Sequence, residues 1–346
     1  MSEIFVVSND RFFLEKKSIF NSNKNTFTII NCFKKFKKIN LIARNSKRKL
    51  KFKDQLKNIC IIDVFNLFKK RHKLRFNKIL IISLTPYNFL ISCLLLLLGA
   101  KKKNSFLFLR SDGYEEYQIK FGIIGYFFYG SMLGILKKKF QILSCSKSIK
   151  GIDKPTLVFP SEVTDNWLKS RKKQIKIIKK NKPVNLLYLG RFREEKGYLS
   201  LINLFEKLKI NSRLTMVGND FKYLKKNKYP KNNKIKIFGQ VSSTKKLINF
   251  LDKSDIFILP SYVEAYPQVI LESLSRLKPV LVFNEIKYLK KTFSFGLYNC
   301  ERSSYHFEKN LKKMINNYKK IQMGILKRQI YSLKNFELTM NNIFKD

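Results

Sequence analysis

Asp255-Ile-Phe-Ile-Leu-Pro-Ser-Tyr-Val-Glu264-Ala-Tyr-Pro-Gln-Val-Ile-Leu-Glu272 changes its hydrophobic period halfway along, and that change decides the fold. Ile256 to Leu259 is an unbroken apolar run closed by Pro260, the pattern of a strand buried on both faces. From Pro267 the pattern is helical: Val269, Ile270, Leu271, Leu274 and Leu277 form one stripe. Proline suits a first helical turn, where its missing N–H costs nothing and its fixed φ fits. Glu264 therefore falls in the loop, and Glu272 about one and a half turns inside the helix. Such a loop leaves N–H groups pointing outward, a seat for phosphate or another anion, with a carboxylate on either side to meet hydroxyls. Without a ligand, Glu264 would complement the helix dipole and Glu272 would lie on a solvated face.

The same alternation extends in both directions. From Val184 the expected strands are Val184 to Leu189, Arg213 to Val217, Ile235 to Phe238, Ile256 to Leu259 and Val280 to Phe283. Helices are expected at Leu199 to Leu208, after Ser242, Ser243 or Thr244, after Pro267, and in two pieces from about Tyr305. Gly190, Gly218 and Gly239 end three of the strands, where a tight turn or close backbone approach needs no side chain. In the first half the expected strands are Ile4 to Ser8, Ile39 to Ala43, Ile59 to Val64, Ile79 to Leu84, Phe106 to Arg110, Gln141 to Ser144 and Thr156 to Phe159. Helices are expected near Phe27 to Phe36, Phe89 to Lys101 and Ile123 to Lys138. Strand alternating with helix specifies an α/β protein with largely parallel sheets and ligands at the strands' carboxyl ends. The expected division is an amino-terminal unit 1–165, a solvated basic linker 166–182, a carboxyl-terminal unit 183–325, and a final helix 326–346 able to pack back on the first unit.

Composition narrows the function. A content of 45% hydrophobic and 14% aromatic residues supports packed cores. The net charge of +47 would draw the surface to polyanions such as anionic lipid. Lysine is spread along the whole chain beside much Ile, Asn and Phe, however, a bias that an AT-rich genome also produces. There is no finger spacing, arginine-rich motif or aromatic RNA-binding signature, so no nucleic-acid partner is expected. Cys32, Cys60, Cys93, Cys145 and Cys300 lie far apart, as reduced core thiols of a cytoplasmic protein would. With only His72 and His306, a histidine metal cage or hydrolase triad is hard to build. Ile4-Phe-Val-Val is too short for a leader, and Phe89 to Ala100 is short of the roughly 20 residues of a spanning helix, so it reads as a buried helix. Phe121 to Leu136, before Lys137-Lys-Lys, could rest in a bilayer interface.

The loop Gly190-Arg-Phe-Arg-Glu-Glu-Lys-Gly197 adds a cationic partner to the two glutamates. Arg191 offers a planar fork of donors and Lys196 a mobile point charge, together suited to a diphosphate. Loops that follow two strands of one parallel sheet meet at the same edge. In this order and spacing, Gly190-Arg191 with Lys196-Gly197, Phe238-Gly239, Asp255 to Ser261 and Glu264 to Glu272 resemble the motifs of the group 1, or family 4, retaining glycosyltransferases of GT-B fold. The resemblance covers Pro183 to about Phe283 and is only topological over the first half.

That resemblance implies two Rossmann-like domains facing across a cleft, the second binding a nucleotide-sugar donor. Arg191 and Lys196 would grip the diphosphate, Glu264 would lie near the sugar hydroxyls, and Glu272 would hold the ribose. Ala265, Tyr266, Pro267, Gln268 and Val269 would present backbone N–H groups to sugar and phosphate; Gly190 would border the diphosphate, and Gly239, Gln240 and Val241 the base. It implies transfer of a sugar to a glycan or lipid-linked glycan in surface polysaccharide synthesis, with no metal or other cofactor, in the cytoplasm or at the inner face of the plasma membrane. Two departures bear on the acceptor. Ser8-Asn-Asp-Arg-Phe-Phe stands where the family often has a glycine pair, and Leu109-Arg-Ser-Asp112-Gly113 where many members have a histidine. Asp112 could make a polar contact to donor or acceptor, or only shape the turn with Gly113. The competing reading is a non-catalytic relic of this fold that docks its basic surface on membrane or polyanion.

Overall fold

The computed structural model describes residues 3–15, 18–21, 23–50, 52–54, 58–146, 149–179, 181–219, 232–264 and 266–345. They form two compact units, Met1–Glu162 with Leu333–Asp346, and Val163–Ser332.

The first unit contains β1 (Glu3–Glu15), β2 (Ser18–Asn21), β3 (Lys38–Asn45), β4 (Phe52–Asp54), β5 (Ile59–Ile62), β6 (Lys78–Ile82), β7 (Ser105–Leu109), β8 (Gln141–Ser144) and β9 (Thr156–Leu157). Its parallel part runs β5-β3-β1-β6-β7-β8-β9. Ile4 to Val7 on β1 and Ile79 to Ile81 on β6 are fully buried, as expected of the sheet centre. The strand expected to stop at Ser8 continues. After a register shift between Ser8 and Arg11, its far end pairs antiparallel with β2, and β2 with β4. A second β-rich run, Arg11-Phe-Phe-Leu, keeps the chain extended beyond the expected strand end.

Two helical expectations also change. The run Phe89 to Ala100 falls on a helix Pro86–Leu97 that is only half buried, with Leu90 and Leu97 facing outward. The helix expected from Ile123 is one arm of Gly113–Lys139, which is broken at Gly122 (φ 63°, ψ −153°). The chain folds back there, so that Tyr114 packs on Tyr126 and Tyr117 on Tyr129, with ring centroids 4.7 and 5.3 Å apart. Gly113 and Gly125 let the arms close, since a Cβ on Gly113 would sit 2.0 Å from the Tyr129 ring. By length and apolarity alone this segment could cross a membrane, but it is two shorter arms. The helix Leu333–Ile343 belongs to this unit, and Phe344 beyond it packs on Phe33 and Phe106 at 4.9 and 4.5 Å.

The second unit has the parallel order β12-β11-β10-β13-β14-β15, with β10 (Val184–Leu189), β11 (Ser212–Val217), β12 (Ile235–Phe238), β13 (Ile256–Leu259), β14 (Val280–Phe283) and β15 (Leu297–Cys300). The helix after β13, Gln268–Ser275, starts with Pro267 as its N-cap and buries Ile270, Leu271 and Leu274. The segment expected as a solvated linker is instead docked on this unit. Trp167 is buried, and the Arg276 guanidinium donates to the carbonyls of Trp167 and Lys169 at 2.9 and 2.7 Å while gripping Asp252. Gln322 donates to the Gln174 carbonyl at 2.8 Å and accepts from the Lys176 N–H at 2.9 Å. A buried indole and satisfied backbone carbonyls outweigh the solvation of its lysines, whose long stems still reach water.

Candidate active site

Strand order reverses between β10 and β13, with β11 and β12 on one side and β14 and β15 on the other. Loops leaving the carboxyl ends of such neighbours diverge and open a crevice. Here they are the segment 190–197 and the segment that starts at Pro260, which carry the two cations and the Glu264 carboxylate singled out in the sequence. The Tyr262 N–H donates to the Glu195 carbonyl at 3.0 Å, tying one loop to the other. Gly197 allows this approach: its φ is +65°, and a Cβ there would meet the Pro260 carbonyl oxygen at 2.0 Å.

Across this seam Lys196 Nζ lies 2.7 Å from Glu264 Oε1, and both side chains are mostly buried. Ser261 Oγ donates to the same carboxylate oxygen at 2.7 Å, and the Tyr288 hydroxyl donates to the Glu264 carbonyl. Glu264 is thus held at its backbone and its carboxylate. Arg191 is exposed, between Gly190, whose N–H donates to the Val217 carbonyl at 3.0 Å, and Phe192, which is fully buried. The Tyr188 hydroxyl donates to the Arg191 carbonyl at 2.7 Å. Burial first, then the charge of Glu264, raises the Tyr188 phenol well above its ordinary range, so it stays a neutral donor. Arg191 therefore has a held backbone carbonyl and an exposed side chain.

The remaining expected residues are spread along the same edge. Gln268 and Val269 lie in the first turn of the helix after β13, with Glu272 in its next turn, all half-buried. Tyr266 stacks on Phe293 at 5.1 Å. Gly239 and Gln240 are exposed and Val241 half-buried, after β12, with Gln240 accepting from Asn219 at 3.4 Å. Ala265 lies outside the described residues. Asp112 is in the first unit and caps the helix Gly113–Lys139, accepting from the Tyr114 N–H at 3.0 Å.

Arg302 was not legible in the sequence, because β15, which it follows, carries the polar pair Tyr298-Asn299 and lacks a clear strand pattern. Its guanidinium donates to Glu285 at 2.7 Å, Ser200 at 3.1 Å and the Pro260 carbonyl at 3.0 Å, between the rings of Tyr262 and Phe283. Burial opposes ionisation of Glu285, but the bond from Arg302 prevails and holds its carboxyl below the usual range. Arg302 so pins the end of β13 beneath the seam. Among the described residues no group of three or more His, Cys, Asp or Glu side chains could hold a metal. A cavity of about 400 Å³ elsewhere in this unit is lined by Phe295, Tyr298, Lys313, Ile321 and Arg328, none of them an expected site residue.

Residues 169–322 match the family model of the glycosyl transferases, group 1. No curated protein matches the sequence. Solved structures resemble nearly the whole chain. Anabaena HepE in complex with UDP and glucose gives a TM-score of 0.67 at 11% identity, covering 99% of each chain. Sucrose-phosphate synthase from Thermosynechococcus elongatus gives 0.69 at 11% identity, covering 99% of this chain and 98% of that one. The lipopolysaccharide outer core galactosyltransferase WaaB gives 0.65 at 16% identity, covering 99% of each. The shared architecture is GT-B.

Proposed function

We propose, from a chain that carries a group 1 glycosyl transferase domain over residues 169–322 and is a glycosyltransferase, that it moves a sugar with retention from a UDP- or GDP-sugar to a glycan or lipid-linked glycan. The observation that carries this reading is the Lys196–Glu264 pair at the strand-order reversal of the second unit. Breaking the anomeric bond leaves a negative nucleoside diphosphate. Arg191, Lys196 and the N–H groups entering the Gln268–Ser275 helix are the donors that would tighten as that charge develops. Glu264, fixed by Ser261 and Tyr288, would accept from sugar hydroxyls, and Glu272 would hold the ribose. Gly239, Gln240 and Val241 would border the base. With these cations the residues present fit metal-independent transfer, the leaving phosphate oxygen helping to take the acceptor's proton.

Calorimetry with UDP and GDP tests the donor half. One of them binds, and Arg191→Ala weakens it about 10- to 30-fold, since a charge-assisted hydrogen bond to phosphate contributes roughly 1.5–2 kcal/mol. Failure of both nucleotides to bind the unaltered protein would remove the donor assignment.

The acceptor is proposed to lie at the inner membrane face of the cytoplasm, in surface polysaccharide synthesis. The five cysteines are all free thiols, as a reducing compartment keeps them. At the fold-back of Gly113–Lys139, Ile119, Phe121, Ile123, Ile124 and Phe127 are all exposed, beside Lys120 and ahead of Lys137 to Lys139. An apolar tip with adjoining lysines matches an anionic bilayer surface. Sedimentation with phosphatidylglycerol vesicles is expected to pull the protein down at low salt, and Ile123→Ser with Ile124→Ser to weaken this at least tenfold. Equal partition of the two proteins, or binding indifferent to salt, would dismiss the membrane contact.

A further inference from the structure

Arg110 follows β7 at the carboxyl edge of the first unit's sheet, beside the end of β6, which with β1 marks the point where strand order reverses again. Its Nε donates to Ser83 Oγ at 3.3 Å, and Ser83 itself holds a left-handed φ of 67° that places this hydroxyl at the end of β6. Among the described residues its Nη groups make no hydrogen bond and no carboxylate lies within ion-pair distance. The acids whose fields reach it are engaged elsewhere: Asp10 accepts from Thr26 and Asn23, and Glu116 lies 4.0 Å from Lys120. The backbone beneath it is pinned, with Cys145 Sγ donating to the Arg110 carbonyl at 3.2 Å. Burial also disfavours its charge.

A half-buried guanidinium with one long hydrogen bond loses solvation without local compensation. Neither packing nor an ion pair accounts for keeping it at a ligand-binding edge. We propose that Arg110 binds an oxyanion, a phosphate or carboxylate borne by one of the two substrates, through its free Nη fork. A planar fork matches either oxyanion with two parallel N–H bonds. The proposal deepens the glycosyl-transfer reading and rests on it for the molecule that carries the anion.

The probe is inorganic pyrophosphate, titrated at constant ionic strength into the full chain and into Arg110→Gln and Arg110→Lys, with and without saturating UDP. Saturating UDP occupies the proposed diphosphate grip of Arg191 and Lys196, and anion binding to the many other lysines is common to all three proteins and cancels in the comparison. Arg110→Gln is expected to weaken pyrophosphate at least tenfold, Arg110→Lys to restore part of it, and the Tm of Arg110→Gln to stay level or rise. Equal affinity in the unaltered protein and Arg110→Gln overturns the proposal. So does a clear drop in Tm for Arg110→Gln, which makes the residue a structural strut. Competition between pyrophosphate and a UDP-linked uronic acid, but not UDP, assigns the anion to the donor sugar; pyrophosphate bound alongside both assigns it to the acceptor. If UDP itself fails to bind, the donor reading falls, while the pyrophosphate difference measured without UDP still decides the role of Arg110.

Discussion

Lys196→Ala is expected to lower kcat/KM for donor turnover about 10²- to 10³-fold, the cost of removing one donor aimed at developing charge. Two effects combine. In the proposed donor site the leaving diphosphate would lose a cation, and Glu264 would keep only the Ser261 hydroxyl, because Lys196 is its charged partner at 2.7 Å. Breaking a largely buried pair from one side penalises the survivor as well. Glu264→Gln should therefore weaken UDP binding far less than Lys196→Ala, since it frees the ammonium. The double variant Lys196→Ala with Glu264→Gln should bind UDP better than Lys196→Ala alone, a non-additivity that independent sites would not show. Steady-state kinetics and nucleotide calorimetry on the four proteins measure this. Additive losses would mean that the two side chains do not act as one unit.

Lys278→Met is expected to stabilise the protein by about 1–3 kcal/mol at pH 7. The lysine is fully buried, and among the described residues its Nζ donates only to the Gln174 side chain and the Asp252 carbonyl, both at 3.3 Å. Burial first, then the charge of Lys176, pushes its pKa down to about 8. Between about 8 and its ordinary value of 10.5 the unfolded chain binds a proton that the folded chain does not. This residue's contribution to stability therefore rises with pH across that window, and its penalty is full below it. The advantage of Lys278→Met should shrink from pH 8 to pH 10.5, which urea melts at several pH values would show. A less stable variant at pH 7 would mean that the two hydrogen bonds outweigh the cost of burial.

The second unit was the more legible half. Its central strands are buried on both faces and read as continuous apolar runs, so β10 and β13 fall where Val184 to Leu189 and Ile256 to Leu259 place them. The convergence of Lys196 and Glu264 followed from parallel topology, because loops on one edge must be neighbours. What escaped depended on contacts between distant residues. Nothing local to Trp167-Leu-Lys-Ser-Arg-Lys announces that Arg276 will satisfy its carbonyls. Nothing in Arg302 itself announces that it will hold Pro260. In the first unit β1 runs past the expected end at Ser8, since the apolar and aromatic residues beyond polar Ser8-Asn-Asp carry the pairing on to β2.

The division of the chain also sets an order of construction. The unit that leaves the ribosome first is the last to be completed, because Phe33 and Phe106 receive Phe344 only after the whole of Val163–Ser332 has been made. Until then an unfinished apolar seam waits on the nascent chain, while the later unit holds all of its own strands and can mature ahead of it.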